Sequence, residues 1–128
     1  MNLARMLAQR ESERQPVRVA VIGCGKFSTM YLTQARTTPG IHIVGIADLD
    51  LDRARANLQS AGWPQSQSDA GTIDAAITSG GTFLTEDAFA LILDERIDVV
   101  VEATGIPHAG IRHCQSAINS GHHVVMVN

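Results

Sequence analysis

The stretch VRVAVIGCGKFSTMYLTQA, opening at Val17, sets two glycines between a run of aliphatic residues and a segment with helical apolar spacing. The pattern predicts a strand over Val17–Ile22, a turn at Gly23 and Gly25, and a helix over Lys26–Arg36 with Phe27, Met30, Tyr31 and Ala35 on one face. A strand that turns this sharply into a helix leaves the first-turn amides without intrahelical acceptors. Such amides at the positive end of a helix dipole suit an anion.

The same strand-then-helix step recurs along the chain. IHIVGIAD reads as a second apolar strand, and DLDRARANLQSAG places Leu51, Ala54 and Leu58 at helical spacing before Gly62. QSAGWPQSQSDAG is polar and split by Pro64, so it reads as an exposed loop with Trp63 as its anchor. Thr72 is expected to cap a short helix with Ile73, Ala76 and Ile77 inward, closed by Gly80 and Gly81 before a brief strand over Thr82–Leu84. Thr85 is expected to cap the next helix, with Glu86 and Asp87 in its first turn and Phe89, Ile92 and Leu93 on its buried side. IDVVVEAT is another buried strand. Pro107 opens a helix whose Ile111, Cys114 and Ile118 repeat at helical spacing until Gly121, and HHVVMVN gives the last strand.

Apolar strands that lack strict alternation and take turns with helices argue for a parallel sheet covered on both faces. Right-handed crossovers then make an α/β, Rossmann-type, doubly wound parallel sheet. It forms a single domain over residues 16–128, preceded by an N-terminal amphipathic helix over residues 1–15 that carries Leu3, Met6, Leu7 and Ala8 and is stopped by Pro16.

Composition agrees with one ordinary domain: 128 residues are enough to bury roughly two thirds of the extended-chain surface. With 45% hydrophobic residues, 18% charged residues and a net charge of -3, the chain is neither disordered in composition nor basic enough for a nucleic-acid partner. Local amides still allow a small anion. The two cysteines, Cys24 and Cys114, form no CxxC pair, which fits reduced thiols and a cytoplasmic setting. MNLARMLAQRESERQ has no long apolar core and no small-residue cleavage site, so neither an export signal nor a membrane span is expected.

The glycine turn carries the first candidate site. Gly23 allows the tight turn, and Gly25 lets a pyrophosphate approach the backbone without meeting a Cβ. Lys26 and Phe27 supply amides of the first helical turn, while Ser28 stands at the third glycine position, where a small side chain still permits close packing. Cys24, inside the turn near a helix N-terminus, is either a thiol of lowered pKa or simply a small turn residue, the commoner explanation. Asp48 stands about twenty residues further on at the end of the second strand, where a carboxylate accepts from ribose hydroxyls and repels a 2′-phosphate. The cofactor expected is NAD or NADP, with NAD favoured by Asp48. Arg53 and Arg55 are near enough to hold a phosphate instead, and Asp48 has a second reading as a helix cap, which Asp50 fits equally well.

EATG, Glu102 to Gly105, closes the fourth long strand, on the side where open α/β sheets bind ligands, so Thr104 and Gly105 are expected to border the nicotinamide ribose. Glu102 reads as a capping or hydrogen-bonding residue, and no catalytic residue is assigned. Asn128 either donates to a ligand or begins a loop. His122 and His123 alternate faces, and His108 and His113 are five apart, so no metal site is expected.

RVAVIGCGKFSTMYLTQ, IADLDLDRARAN, DVVVEATGIPHAG and GHHVVMVN together resemble the N-terminal domain of homoserine dehydrogenase-like oxidoreductases, over almost the whole chain. MNLARMLAQR, ATGIP and GHHVVMVN are similar, more narrowly, to the branch with deoxyxylulose-phosphate reductoisomerase-like proteins. The resemblance implies a longer protein in which a catalytic and dimerising domain follows, hence a small-molecule substrate bound with that domain and a homo-oligomer. Members near the reductoisomerase-like branch use NADPH, from which Asp48 departs. Gfo/Idh/MocA-type dehydrogenases share the glycine turn and the acidic strand end, but the Lys-Pro after their fifth strand is not seen before Asn128. The chain is thus expected to be the cofactor domain of an NAD(P)-dependent oxidoreductase, inactive alone. The alternative is a stand-alone dinucleotide sensor or interaction module.

Overall fold

The computed structural model describes residues 2–127; Asn128 lies outside the described residues. Five strands, β1 (Val17–Ile22), β2 (Ile41–Ala47), β3 (Phe83–Thr85), β4 (Val99–Glu102) and β5 (His123–Met126), form one parallel sheet in the order β3-β2-β1-β4-β5. Six helices connect and precede them: α1 (Leu3–Ser12), α2 (Lys26–Ala35), α3 (Leu51–Ser60), α4 (Ile73–Ser79), α5 (Ala88–Ile92) and α6 (Pro107–Asn119). The strand order reverses at β1, so the crossovers to β2 and β4 leave in opposite directions and open a crevice at their carboxyl ends. Register sets Ile22 beside both Ala47 and Glu102, which brings Gly23, Asp48 and Ala103 to one rim of the sheet.

Each face of the sheet has its own apolar layer. Val19, Val21, Ile43 and Ile46 pack with Leu32, Leu58 and Trp63 on one side, while Ala20, Ile22, Val44 and Val100 pack with Leu91 and Ile92 on the other. Successive side chains of β1 alternate between the layers, β2 does the same on either side of a register shift at Val44 and Gly45, and both layers are buried because helices cover both. Trp63 anchors the expected loop: it is buried, and its Nε1 donates to the Leu32 carbonyl at 3.0 Å. That segment also contains a short 3-10 turn, Gln65–Ser68.

The helix α1 buries no residue and docks through its C-terminal end, where the Glu11 carboxylate accepts from the Gly40 amide at 2.6 Å. No helix of the described residues is long and apolar enough to cross a membrane.

Three helical faces differ from the sequence expectation. In α2 the buried residues are Ser28, Leu32 and Ala35, whereas Phe27 and Met30 are exposed. The Ser28 hydroxyl donates to the Gly23 carbonyl at 2.5 Å and turns that side of the helix inward. In α5 the cap is Asp87, whose Oδ1 accepts from the Ala90 amide, while the Thr85 hydroxyl accepts from the Asp87 amide. Glu86 and Asp87 therefore precede the helix, which starts later and buries Leu91 and Ile92 while leaving Phe89 and Leu93 exposed. In α6 the buried set is Gly110, His113 and Ala117, and Ile111 and Ile118 face solvent. A polar partner beneath His113 outweighs the apolar repeat there.

Candidate functional site

The Gly23–Ser28 corner owes its shape to crowding on one side and openness on the other. Gly23 has φ +95°, and a Cβ there would lie 2.7 Å from the Ala103 carbonyl oxygen, so only glycine lets the turn pass against the start of the 103–106 loop. At Gly25 a Cβ would meet nothing within 4 Å. This residue is the N-cap of α2 and offers no side-chain acceptor, so the first-turn amides of Lys26, Phe27 and Ser28 remain available to an external acceptor. The open space above Gly25 and the free helix end fit a diphosphate.

Asp48 occupies the rim of β2 with a buried carboxylate, its side chain 4% exposed. Its Oδ2 accepts from the Cys24 amide at 2.8 Å and its Oδ1 from the Asp50 amide at 2.9 Å, while Arg53 Nη2 reaches both oxygens at 2.9 and 3.1 Å. Burial alone would raise the Asp48 carboxyl. The Asp50 and Cys24 amides and the Arg53 guanidinium outweigh that effect and hold it below the usual carboxylate range. Asp50, through its own side chain on the Arg53 amide, takes the capping role for α3.

Cys24 is a packing residue. It is buried, its thiol points to the Ala54 carbonyl at 3.7 Å, and burial followed by the Asp48 charge pushes the thiol up to about 11. A thiol so placed is a poor nucleophile at neutral pH.

The third wall is built from the end of β4. Glu102 is fully buried; its Oε1 accepts from the Thr104 amide at 2.9 Å and the Thr104 hydroxyl at 2.6 Å, and its Oε2 meets His113 Nδ1 at 2.5 Å. Phe89 packs on the His113 ring with centroids 5.0 Å apart. The pair ties the 103–106 loop to α6. A carboxylate inside a strand as apolar as VVVE needs such partners, and that need was the signal in the sequence for His113.

These elements enclose a hollow of about 400 Å³ lined mainly by apolar groups, with Gly23, Gly25, Asp48 and Thr104 on its wall together with Arg53 and His113. Cys24 and Ser28 lie buried behind the turn, Lys26 and Phe27 stand at the start of α2 with Phe27 exposed, and Gly105 sits on an exposed turn with φ +73°. The sequence reading missed Phe89, Arg112 and His113 as lining residues. No group of three or more potential metal ligands occurs among the described residues.

Residues 17–126 match the sequence model of an oxidoreductase family with an NAD-binding Rossmann fold, GFO_IDH_MocA. Solved structures agree in fold. Myo-inositol dehydrogenase from Lactobacillus casei, in complex with NAD(H) and myo-inositol, is 18% identical with a TM-score of 0.62, the alignment covering 87% of this chain and 28% of that one. A point mutant of a 3-ketoreductase from Actinomadura kijaniata, in complex with TDP-benzene and NADP, is 23% identical with a TM-score of 0.58, covering 87% and 29%. Biliverdin reductase from Synechocystis sp. PCC 6803, in complex with biliverdin and NADP+, is 26% identical with a TM-score of 0.57, covering 87% and 29%. The chain thus spans less than a third of the length of these proteins. No curated protein matches in sequence.

Proposed function

The chain belongs to the Gfo/Idh/MocA oxidoreductase family, and we propose that it is the dinucleotide-binding part of an NAD(P)-dependent oxidoreductase. The open, amide-lined corner at Gly25 carries this reading, because there a free helix N-terminus faces a cavity edged by a buried carboxylate. The amides of Lys26 and Phe27 would hold the diphosphate, the rim at Asp48 would take the adenosine ribose, and the loop of Thr104 and Gly105 would border the nicotinamide ribose. The bound cofactor supplies hydride chemistry. The chain's own residues bind and orient it: Glu102 and His113 fix the Thr104 loop, and apolar groups such as Ile22 and Phe89 shield the hollow from water.

The likeness to homoserine dehydrogenase-like enzymes is a finer placement, resting on RVAVIGCGKFSTMYLTQ, IADLDLDRARAN, DVVVEATGIPHAG and GHHVVMVN together. The absent Lys-Pro did not argue against the Gfo/Idh/MocA family, because the family match ends at residue 126, ahead of that position. A substrate, a dimerising domain and a catalytic set belong to a longer polypeptide in this proposal, in keeping with the fraction of each relative that the chain covers.

Titration of the purified chain with NADH and NADPH, followed by calorimetry, tests the reading. Saturable one-to-one binding without turnover is expected, and failure of both dinucleotides to bind would overturn it. A second reading, a dinucleotide sensor that engages a partner, is favoured by the exposed Val125 and Met126 of edge strand β5 and by Leu3 and Met6 of α1. A NADH-dependent change in sedimentation would support the sensor.

A further inference from the structure

We propose a second small-molecule site, at the opposite end of the sheet from the dinucleotide hollow, that takes a zwitterion with an apolar body, the chemistry of a free aliphatic or aromatic α-amino acid. It stands independently of the dinucleotide reading.

The site is a hollow of about 390 Å³, a size that suits a small molecule. It lies where β1 and β2 begin, beside the C-terminal end of α1, whereas Gly23 and Asp48 mark the carboxyl ends of the same strands. Its floor is apolar, made of Ile41, Ile43, Ile77 and Trp63, whose indole is held by its bond to the Leu32 carbonyl. An apolar side chain seated there removes that floor from water.

Charges of both signs stand on the rim. Arg14 and Arg36 contribute guanidinium groups, and neither joins an ion pair among the described residues. Arg14 is also the one non-glycine residue among them with a positive φ, +57°, at the position after the C-cap of α1, where glycine is favoured. An arginine kept in that conformation at the edge of a hollow points to a use for its side chain. Two guanidinium groups on one rim suit a carboxylate.

An ammonium finds partners on the same rim. Glu11 gives Oε2 to the Gly40 amide at 2.6 Å, and its Oε1 has no partner among the described residues. The last turn of α4 adds carbonyls. The Gly81 amide goes to Ser79 Oγ at 3.1 Å and the Thr82 amide to the Gln67 carbonyl at 2.7 Å, so neither closes the helix onto the Ile77 and Thr78 carbonyls. That end of α4, like the end of α2 beside Arg36, is the negative pole of its helix. A lone anion is repelled by one half of this rim and a lone cation by the other. A zwitterion matches both.

Trp63 is the only tryptophan in the chain, so its emission, together with calorimetry, reads occupancy. L-Leucine and L-phenylalanine are expected to bind the full chain saturably. Isocaproate, which is leucine without its ammonium, and isoamylamine, which is leucine without its carboxylate, should each bind about fivefold or more weakly than leucine. Arg14→Gly removes the guanidinium and suits the left-handed backbone, so it should weaken leucine by about fivefold or more in a chain that melts no lower than the wild type. Arg36→Gln should weaken leucine in the same direction. Arg55→Ala, in the neighbouring hollow that Trp63 also borders, should leave leucine binding unchanged. The assignment is overturned if neither amino acid gives heat or an emission change, or if isocaproate or isoamylamine matches leucine. Wild-type leucine affinity in folded Arg14→Gly and Arg36→Gln chains, or loss of binding in Arg55→Ala, overturns it as well.

Discussion

Replacing Gly25 with valine is expected to weaken dinucleotide binding severely while leaving the fold intact, a separation that follows from the different surroundings of the two turn glycines. Gly25 has φ −95° and ψ −159°, an extended conformation open to branched residues, and a Cβ there meets nothing within 4 Å. Loss of a favourable N-cap glycine costs about 1 kcal/mol. A stiffer unfolded chain offsets about 0.4–1 kcal/mol of this, so net stability should change by no more than about 1 kcal/mol. The added methyl groups fill the space in front of the α2 amides. Each charge-assisted hydrogen bond withheld from a diphosphate is worth about 1.5–3 kcal/mol, so Kd for NADH should rise about thirtyfold or more.

Gly23→Ala is the opposite case. Its Cβ would lie 2.7 Å from the Ala103 oxygen and 2.9 Å from Thr104 Cα, both main-chain atoms, and Ala103 is itself held by the hydrogen bond that its N–H donates to the Ile22 carbonyl at 2.8 Å. Overlap with fixed backbone and a positive φ together should destabilise the fold by about 3 kcal/mol. Urea unfolding followed by Trp63 fluorescence reads stability, and calorimetry with NADH reads binding. A folded Gly25→Val chain with wild-type affinity refutes the diphosphate placement, and a Gly23→Ala chain of wild-type stability refutes the crowding argument.

Three further outcomes follow from the polar contacts. Asp48→Asn should cost about 2 kcal/mol at neutral pH, since the buried Cys24 amide and Arg53 lose a charged acceptor. The Asp48 carboxyl is depressed in the folded chain, so its stabilisation is complete above the unfolded range near about 4 and disappears as pH falls through the folded value. The variant should therefore show a flatter acid limb in urea midpoints measured from neutral pH down into the acid range, and an unchanged slope contradicts the pairing. His113→Ala leaves the fully buried Glu102 without its ring partner and should lower stability by about 3 kcal/mol, measured by thermal melting, whereas a loss within about 0.5 kcal/mol contradicts the buried pair. Disulfide-exchange reagents at mildly alkaline pH should leave Cys24 unmodified in the folded chain and label it only after unfolding; rapid folded-state labelling at Cys24 contradicts its packing role.

The sheet and its order of elements were legible because apolar strands and helix-spaced segments alternate without ambiguity, and because Gly23, Gly62, Gly80 and Gly121 mark chain reversals. Asp48 was legible by spacing from the glycine turn. Its full role was not, since neither periodicity nor spacing shows that the Cys24 amide and Arg53 would converge on one carboxylate. In α2 the close packing read for Ser28 holds, while Phe27 and Met30 were turned inward on apolar character alone; in α6 the inner face was misjudged because His113 is a polar residue turned inward by Glu102, which lies on another element. Apolar counting assigns such residues to solvent. The same partnership hid the floor of the hollow, where Glu102 supports Thr104.

Amide chemical shifts of the isotopically labelled chain during titration with NADH report which backbone groups meet the diphosphate. The amides of Gly25, Lys26, Phe27 and Ser28 are expected to move first and most, followed by those of the 103–106 loop. Shifts confined to the far side of the sheet around Trp63 and Gly80, or none at saturating NADH, would contradict the diphosphate placement.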